Sequence, residues 1–241
     1  MDIKGKVVLI TGASMGIGLS TARLFAAQGA RLALAARSTD KLTALADELR
    51  AQGHEALVLT ADMRDPSAVK SMIESTLAHF GQLDILINNA GQAAAGTVAD
   101  VNSQDFQQII ELNVFGPLYA MQNAIPAMRK QGGGLIINIS SMVSKMHIPG
   151  LGAYAATKSA LNMLSDTARG ELASDNIRVI TVYPRLTATD FGKNSLGNRQ
   201  MRQGQRDGGA HHAAMQADTP EWVAEKILLA AQQEPQEQFM D

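Results

Sequence analysis

The chain reads as an α/β protein with a doubly wound parallel sheet, six or seven strands flanked by helices on both faces. Three observations lead there. Short apolar runs rich in branched residues recur along the chain, each followed by a helix-favouring segment. A glycine-rich turn, TGASMGIG, comes directly after the first run. No repeat, linker or compositional break divides the 241 residues, so one domain, 1–241, is expected.

Val7 to Thr11 suits a strand buried on both faces, and Leu19 to Gln28 suits a helix closed by Gly29. Between them stand Gly12, Gly16 and Gly18, spaced GxxxGxG, with Ser14, Met15 and Ile17 completing the turn. Glycines there permit a tight turn, close approach of backbone to phosphate, and tight packing of helix on strand. Bare N–H groups at the helix start would then face a pyrophosphate. The position between strand and helix favours this over an idle glycine turn.

Arg31 to Ala36 is the second strand. A site for NAD puts an acid near its end to take the ribose hydroxyls. Here Ala36 holds that position, followed by Arg37 and Ser38. A guanidinium suits a 2′-phosphate, so NADP is expected over NAD.

Asp40 to Ala51 is an amphipathic helix ended by Gly53, and Glu55 to Thr60 is a third strand leading to Asp62 and Met63. Pro66 opens a helix that runs to Gly81, at a position proline tolerates. Leu83 to Asn88 is the fourth strand, ending in NNAG. Side chains there face the ligand crevice of such a sheet, although asparagines also serve turn backbone. Gln104 to Met128 is a long helical region with a break near Ser103, a proline at Pro117, and Asn113 in its interior, where asparagine is unfavourable. Gly132 to Gly134 turn the chain into a fifth strand, Leu135 to Ser140.

The helix from Gly152 to Ser174 carries Tyr154 and Lys158, four apart and so on one face. A phenol titrates near pH ~10, and a neighbouring ammonium is expected to lower that value. Ser141 precedes the tyrosine by a loop long enough to bring its hydroxyl back over the helix start. Ile177 to Tyr183 is the sixth strand, stopped by Pro184, and a helix from Pro220 to Gln232 follows.

Charge narrows the function classes. The net charge is −2 with no basic run, so nucleic acid and anionic membrane are not expected partners. The absence of cysteine excludes disulfides, iron–sulfur clusters and a thiolate nucleophile. The apolar run Val7 to Ile10 is too short for a signal-peptide core, so a cytoplasmic protein is expected. His211 and His212 are adjacent, but zinc needs three or four convergent ligands, so no metal is expected.

From Lys6 to about Ala231 the chain resembles the short-chain dehydrogenases/reductases. The resemblance is carried by TGASMGIG (11–18), Asp62, NNAG (88–91), NVFG with Asn113, NISS ending in Ser141, and YAATK (154–158). It implies a nicotinamide-dependent oxidoreductase, and with the charge at Arg37 the expectation is an NADP-dependent enzyme of carbonyls and secondary alcohols. Tyr154 would be the general acid/base, Lys158 would lower its pKa and bind the nicotinamide ribose, Ser141 would orient the substrate oxygen, and Asn113 would hold a water in a proton relay. Asp62 would contact the adenine, while Asn89, Ala90 and Gly91 would line the cofactor. Pro184, Arg185, Thr187 and Thr189 fall where relatives carry PG and a threonine region. Arg185, bulky where a glycine is usual, would narrow the pocket, pair with an acid, contact an anionic substrate, or turn outward. Residues 190–218 correspond to the variable substrate loop, and His147 either borders the pocket or is a loop histidine. The ending EQFMD departs from the DGG-like end of relatives, which puts the seventh strand and a tetramer contact in question. A homodimer is implied, with a tetramer as the alternative. Two other readings stay open: a 3-oxoacyl thioester reductase of lipid synthesis, and a catalytically silent dinucleotide-binding regulator.

Overall fold

The computed structural model describes residues 1–197 and 217–241. Its strands are β1 (Val7–Thr11), β2 (Arg31–Ala36), β3 (Ala56–Thr60), β4 (Ile85–Asn88), β5 (Gly134–Ile139), β6 (Ile177–Tyr183) and β7 (Glu237–Phe239). They form one parallel sheet in the order β3-β2-β1-β4-β5-β6-β7. Chain order reverses between β1 and β4, and crevices for ligands open beside the carboxyl ends of strands at such a reversal.

Successive residues of a strand point to opposite faces. Val8 and Ile10 of β1 accordingly pack under α1 (Gly16–Ala27), α2 (Thr39–Ala51) and the last helix, α7 (Pro220–Gln233). Val7 and Leu9 pack on the other side with α3 (Pro66–Phe80) and α5 (Gly116–Lys130). Every residue of β1, β4 and β5 is buried, which is why these runs are near-continuously apolar rather than alternating, with polar residues only toward their ends.

The region expected as one helix with a break is three segments in line. Asn102 caps α4 (Ser103–Ile110) by accepting from the N–H groups of Gln104 and Asp105. A π-helical turn, Glu111–Phe115, follows and passes directly into α5. Widened turns of this kind cost hydrogen-bond geometry and concentrate at functional sites. Asn113 sits inside this one and is fully buried, so its place in a helix is a built feature.

The seventh strand forms. Thr181, Val182 and Tyr183 pair with Glu237, Gln238 and Phe239. Side chains hold it where no glycine-rich ending does. The Tyr183 hydroxyl donates to Glu237 Oε1 at 2.6 Å, and Phe239 stacks on the Tyr183 ring at 4.8 Å. Lys145 Nζ lies 3.4 Å from the same carboxylate and over the same ring.

Candidate active site

The end of β5 and the first turns of α6 (Gly152–Glu171) form one wall of the crevice. Ser141 follows β5 in extended conformation, and its hydroxyl accepts from the N–H of Val143, opening a short 3-10 turn, Met142–Lys145. That bend returns Ser141 to α6, where its hydroxyl stands near enough to the Tyr154 phenol to oppose part of the upward push of burial on its pKa. Lys158, one turn further on, is 4 % exposed and donates to the Ile139 carbonyl at 2.8 Å. The sequence-predicted pair and serine thus converge.

Their electrostatics correct one expectation. Burial pushes the Tyr154 phenol up, to about 12, and the Ser141 hydroxyl only partly offsets this. Lys158 does not pull it down, because burial drives its own ammonium to about 8 and its Nζ lies 5.9 Å from the ring centroid, bonded to a carbonyl. Desolvation of both groups outweighs their mutual effect.

Asn113 joins from the π-turn. Its Nδ2 donates to the Gln92 carbonyl (2.8 Å) and Thr157 Oγ1 (3.0 Å), and its Oδ1 accepts from Gln92 N–H. Both side-chain protons are therefore spent on the protein, which leaves any relay water to an oxygen of this residue. Gly91 lies between the groups: a Cβ there would stand 3.3 Å from Asn113 Oδ1 and 3.5 Å from Lys158 Nζ.

The glycine turn faces this wall across β1 and β4. Gly12 and Gly16 adopt φ of 70° and 54°, conformations that side chains disfavour. A Cβ on Gly12 would meet Asn89 Nδ2 at 2.8 Å, and one on Gly18 would strike the Gly12 carbonyl. Asn89 serves the turn, donating to the carbonyls of Thr11 and Gly12, while Ala90 N–H bonds Thr11 Oγ1. Asn88 turns into the sheet and donates to Asn138. Between the half-buried Ser14 and Ile17, Met15 stands at the start of α1, which carries neither a side-chain cap nor an acid in its first turn. Uncapped N–H groups of this kind are a ready anion site.

At the carboxyl ends of β2 and β3, Ala36 pairs with Thr60, so Arg37 and Asp62 emerge side by side. Arg37 and Ser38 are exposed, and Met63 is buried against the start of α5. Asp62 is half-buried and already paired. Arg64, which sequence reasoning did not single out, grips its carboxylate through Nε (3.1 Å) and Nη2 (2.6 Å) and holds its pKa below the usual range. An arginine two residues past a strand-end acid was the available signal.

The opposite wall is the segment 184–197. Pro184 accepts from Met142 N–H, Thr189 stands over Gly16, and Phe191 lies 5.7 Å from the Tyr154 ring. Asn194 reaches Met15, and its carbonyl accepts from Gln92. Arg185 pairs with an acid, the second of its sequence-stated options: it bonds both oxygens of Asp218 (3.1 and 2.9 Å) beside the Thr187–Asp218 bridge. His147 and Met146 are exposed, and Met142 and Leu151 are half-buried at the mouth. Much of the expected substrate loop, with His211 and His212, lies outside the described residues. Among the described residues no group of three or more His, Asp or Glu is placed to hold a metal, and no helix is long and apolar enough to cross a membrane.

Comparison with known proteins places this arrangement. The family profile described as short chain dehydrogenase matches residues 6–200. A curated relative, dehydrogenase/reductase SDR family member 7B from Bos taurus, is 34% identical over 95% of this chain and 71% of its own length. The crystal structure of L-sorbose reductase from Gluconobacter frateurii, complexed with NADPH and L-sorbose, superposes with a TM-score of 0.82 at 33% identity, covering 95% of this chain and 91% of that one. A 7α-hydroxysteroid dehydrogenase complexed with NADH and an oxo bile acid gives 0.84 at 29% identity, over 95% and 88%.

Proposed function

The chain belongs to the short-chain dehydrogenase/reductase family, and on that premise we propose that it is an NADP-dependent reductase of carbonyl compounds whose proton donor is Tyr154. One observation carries the reading: a buried phenol, a buried ammonium and a half-buried hydroxyl lie in one crevice with the uncapped start of α1. The residues fit a dinucleotide. The glycine turn and the N–H groups at Met15, Gly16 and Ile17 would take the pyrophosphate, and Gly91 and Lys158 would flank the nicotinamide ribose. When bound, a reduced nicotinamide supplies the hydride for the carbonyl carbon.

The protein's own part is orientation and one proton. Ser141 holds the carbonyl oxygen, and Tyr154 gives its proton to that oxygen as the alcohol forms. A phenol whose pKa stands at about 12 is protonated at neutral pH, the form that reduction needs. Lys158 returns a proton to the phenol, and a water held at an oxygen of Asn113 would resupply Lys158.

The preference for NADP rests on charge. Ala36 stands where an acid would bind ribose hydroxyls, Arg37 follows, and Arg64 neutralises Asp62, leaving a net positive rim for a 2′-phosphate. The relatives named above include one with NADPH and one with NADH. A cytoplasmic homodimer completes the proposal; the exposed Phe115 and Met163 on the π-turn and α6 support pairing with a second copy.

The test is NADPH consumption over ketones, aldehydes, quinones and 3-oxoacyl thioesters. Tyr154→Phe should remove turnover by about 1000-fold or more while NADPH still quenches the fluorescence of Trp222, the chain's one tryptophan. Substantial turnover in that variant overturns the proton-donor role. Arg37→Ala should weaken NADPH about tenfold more than NADH, a ~1.4 kcal/mol difference. Equal weakening overturns the 2′-phosphate contact.

A further inference from the structure

Three consecutive residues at the end of β5 are each bonded to one face of α6, and a fourth, Ser141, stands beside it. Asn138 donates to Ser165 Oγ at 2.8 Å, Ile139 accepts from Lys158, Ser140 Oγ donates to Asn162 Oδ1 at 2.5 Å, and Ser141 meets Tyr154. Tyr154, Lys158 and Asn162 are spaced by four, so they form one stripe along the helix. Two members of that stripe belong to the proposed chemistry, and the third does not.

Asn162 is 8 % exposed, and both ends of its amide are used. While Oδ1 accepts from Ser140, Nδ2 donates to Ser144 Oγ at 2.9 Å. Ser144 Oγ in turn donates to the Ser141 carbonyl at 2.7 Å, a carbonyl that also accepts the Ser144 N–H. The direction of every bond follows: an Asn NH₂ only donates, and a hydroxyl has one proton to give. Nδ2 occupies the acceptor side of Ser144 Oγ, so the Ser144 proton goes to Ser141. The chain of bonds ends on the backbone of the residue that addresses the phenol.

We propose that Asn162, acting through Ser144, is a positioning residue that sets where the Ser141 hydroxyl stands relative to Tyr154. A satisfied buried network has one geometry, and opening it leaves donors and acceptors that rearrange to find partners. Ser141 is itself only partly buried on a short turn, so its placement depends on this link more than on apolar packing. The inference rests on the proton-donor reading for its kinetic consequence, but not for its structural one.

The structural test needs no substrate. The chain has three tyrosines, Tyr119, Tyr154 and Tyr183. In protein labelled at the tyrosine ζ-carbon, Tyr154→Phe identifies the Tyr154 resonance. Asn162→Ala and Ser144→Ala should each move it in the direction that Ser141→Ala moves it, and the double variant should move it no further than Ser144→Ala alone. Asn162→Asp should do likewise, because a carboxylate draws the Ser144 proton away from Ser141. A resonance unmoved in Ser144→Ala, or additive shifts in the double variant, overturns the proposal, and Ser144→Ala decides it even if Asn162→Ala fails to fold. Kinetically, with NADPH and phenanthrenequinone, kcat should fall about tenfold with KM nearly unchanged, a fraction of the ~100-fold that a 1 Å misplacement costs. In alcohol oxidation, which needs the phenolate, the rising limb of the pH profile should move to higher pH. Parental kcat in both variants, with Tyr154→Phe inactive, sinks the positioning role alone; an active Tyr154→Phe sinks the donor role instead.

Discussion

The two walls of the crevice are built on different terms. The wall of β5 and α6 is dry: Asn138, Ser140, Lys158 and Tyr154 are all buried, and the first three are bonded across the two elements. The wall of 184–197 is wet. Leu186 is 63 % exposed, the Asp190–Lys193 pair stands in solvent, and Arg185 reaches Asp218 from an exposed position. Breaking a buried hydrogen bond strands a partner at a cost of about 1–3 kcal/mol, whereas an exposed ion pair contributes about 0–1 kcal/mol. One wall is therefore expected to hold its groups in a fixed geometry, and the other to tolerate substitution with less effect on that geometry.

The strongest attempt to break this contrast is Lys158→Met on the dry wall. Turnover should fall by about 1000-fold through loss of the ammonium, yet the fold should not weaken in proportion. The folded pKa of Lys158, about 8, lies below its ordinary 10.5, so the folded state binds this proton less tightly than the unfolded chain. Its burial penalty is complete below pH 8 and fades as pH rises from 8 to 10.5. Tyr154 acts oppositely and later: its pKa rises from 10.0 to about 12, so its contribution is present below pH 10 and lost between 10 and 12. Removing Lys158 should thus add about 2–3 kcal/mol at pH 7, less the lost bond to Ile139, and should flatten the rise in stability between pH 8 and 10. Denaturant midpoints measured across that range check both signs.

Phe191→Ala probes the wet wall where it meets the dry one. Its ring packs against Tyr154 from a partly exposed position. KM should rise about tenfold for apolar carbonyls while kcat changes less than threefold, since the proton geometry is held from behind. A collapse of kcat instead would show that both walls position the phenol.

The smallest expected effect is that of Arg185→Ala. Its pair with Asp218 joins the two ends of the segment between them, but the guanidinium is half in solvent. The denaturation midpoint should shift only slightly, and 1 M salt should reproduce most of the change in the parent protein.

The same division governs what could be read in advance. Six strands, their helices and the glycine turn were legible because each announces itself within a few residues, by an apolar run, a breaker or a cap. β7 was not, since three residues, Glu-Gln-Phe, carry no pattern and are held by Tyr183, far away in the chain. The π-turn left only an asparagine in an unsuitable place as its sign. Arg64 was passed over because an arginine near a strand end looks like any solvated one until its carboxylate partner is known.

By itself the sequence determined the order of elements, the side chains offered to the crevice, and the charge at the end of β2, all properties of local spacing and residue type. Only the tertiary structure decided how those groups behave. Water was removed from Tyr154 and Lys158 by packing, which moved one pKa up and the other down against the pairing expected from their spacing. Arg185 found Asp218, and Asn162 found Ser140 and Ser144, across separations that no local pattern encodes. Partners at such distances are chosen by strand order and burial, and desolvation energies depend on everything packed around a group.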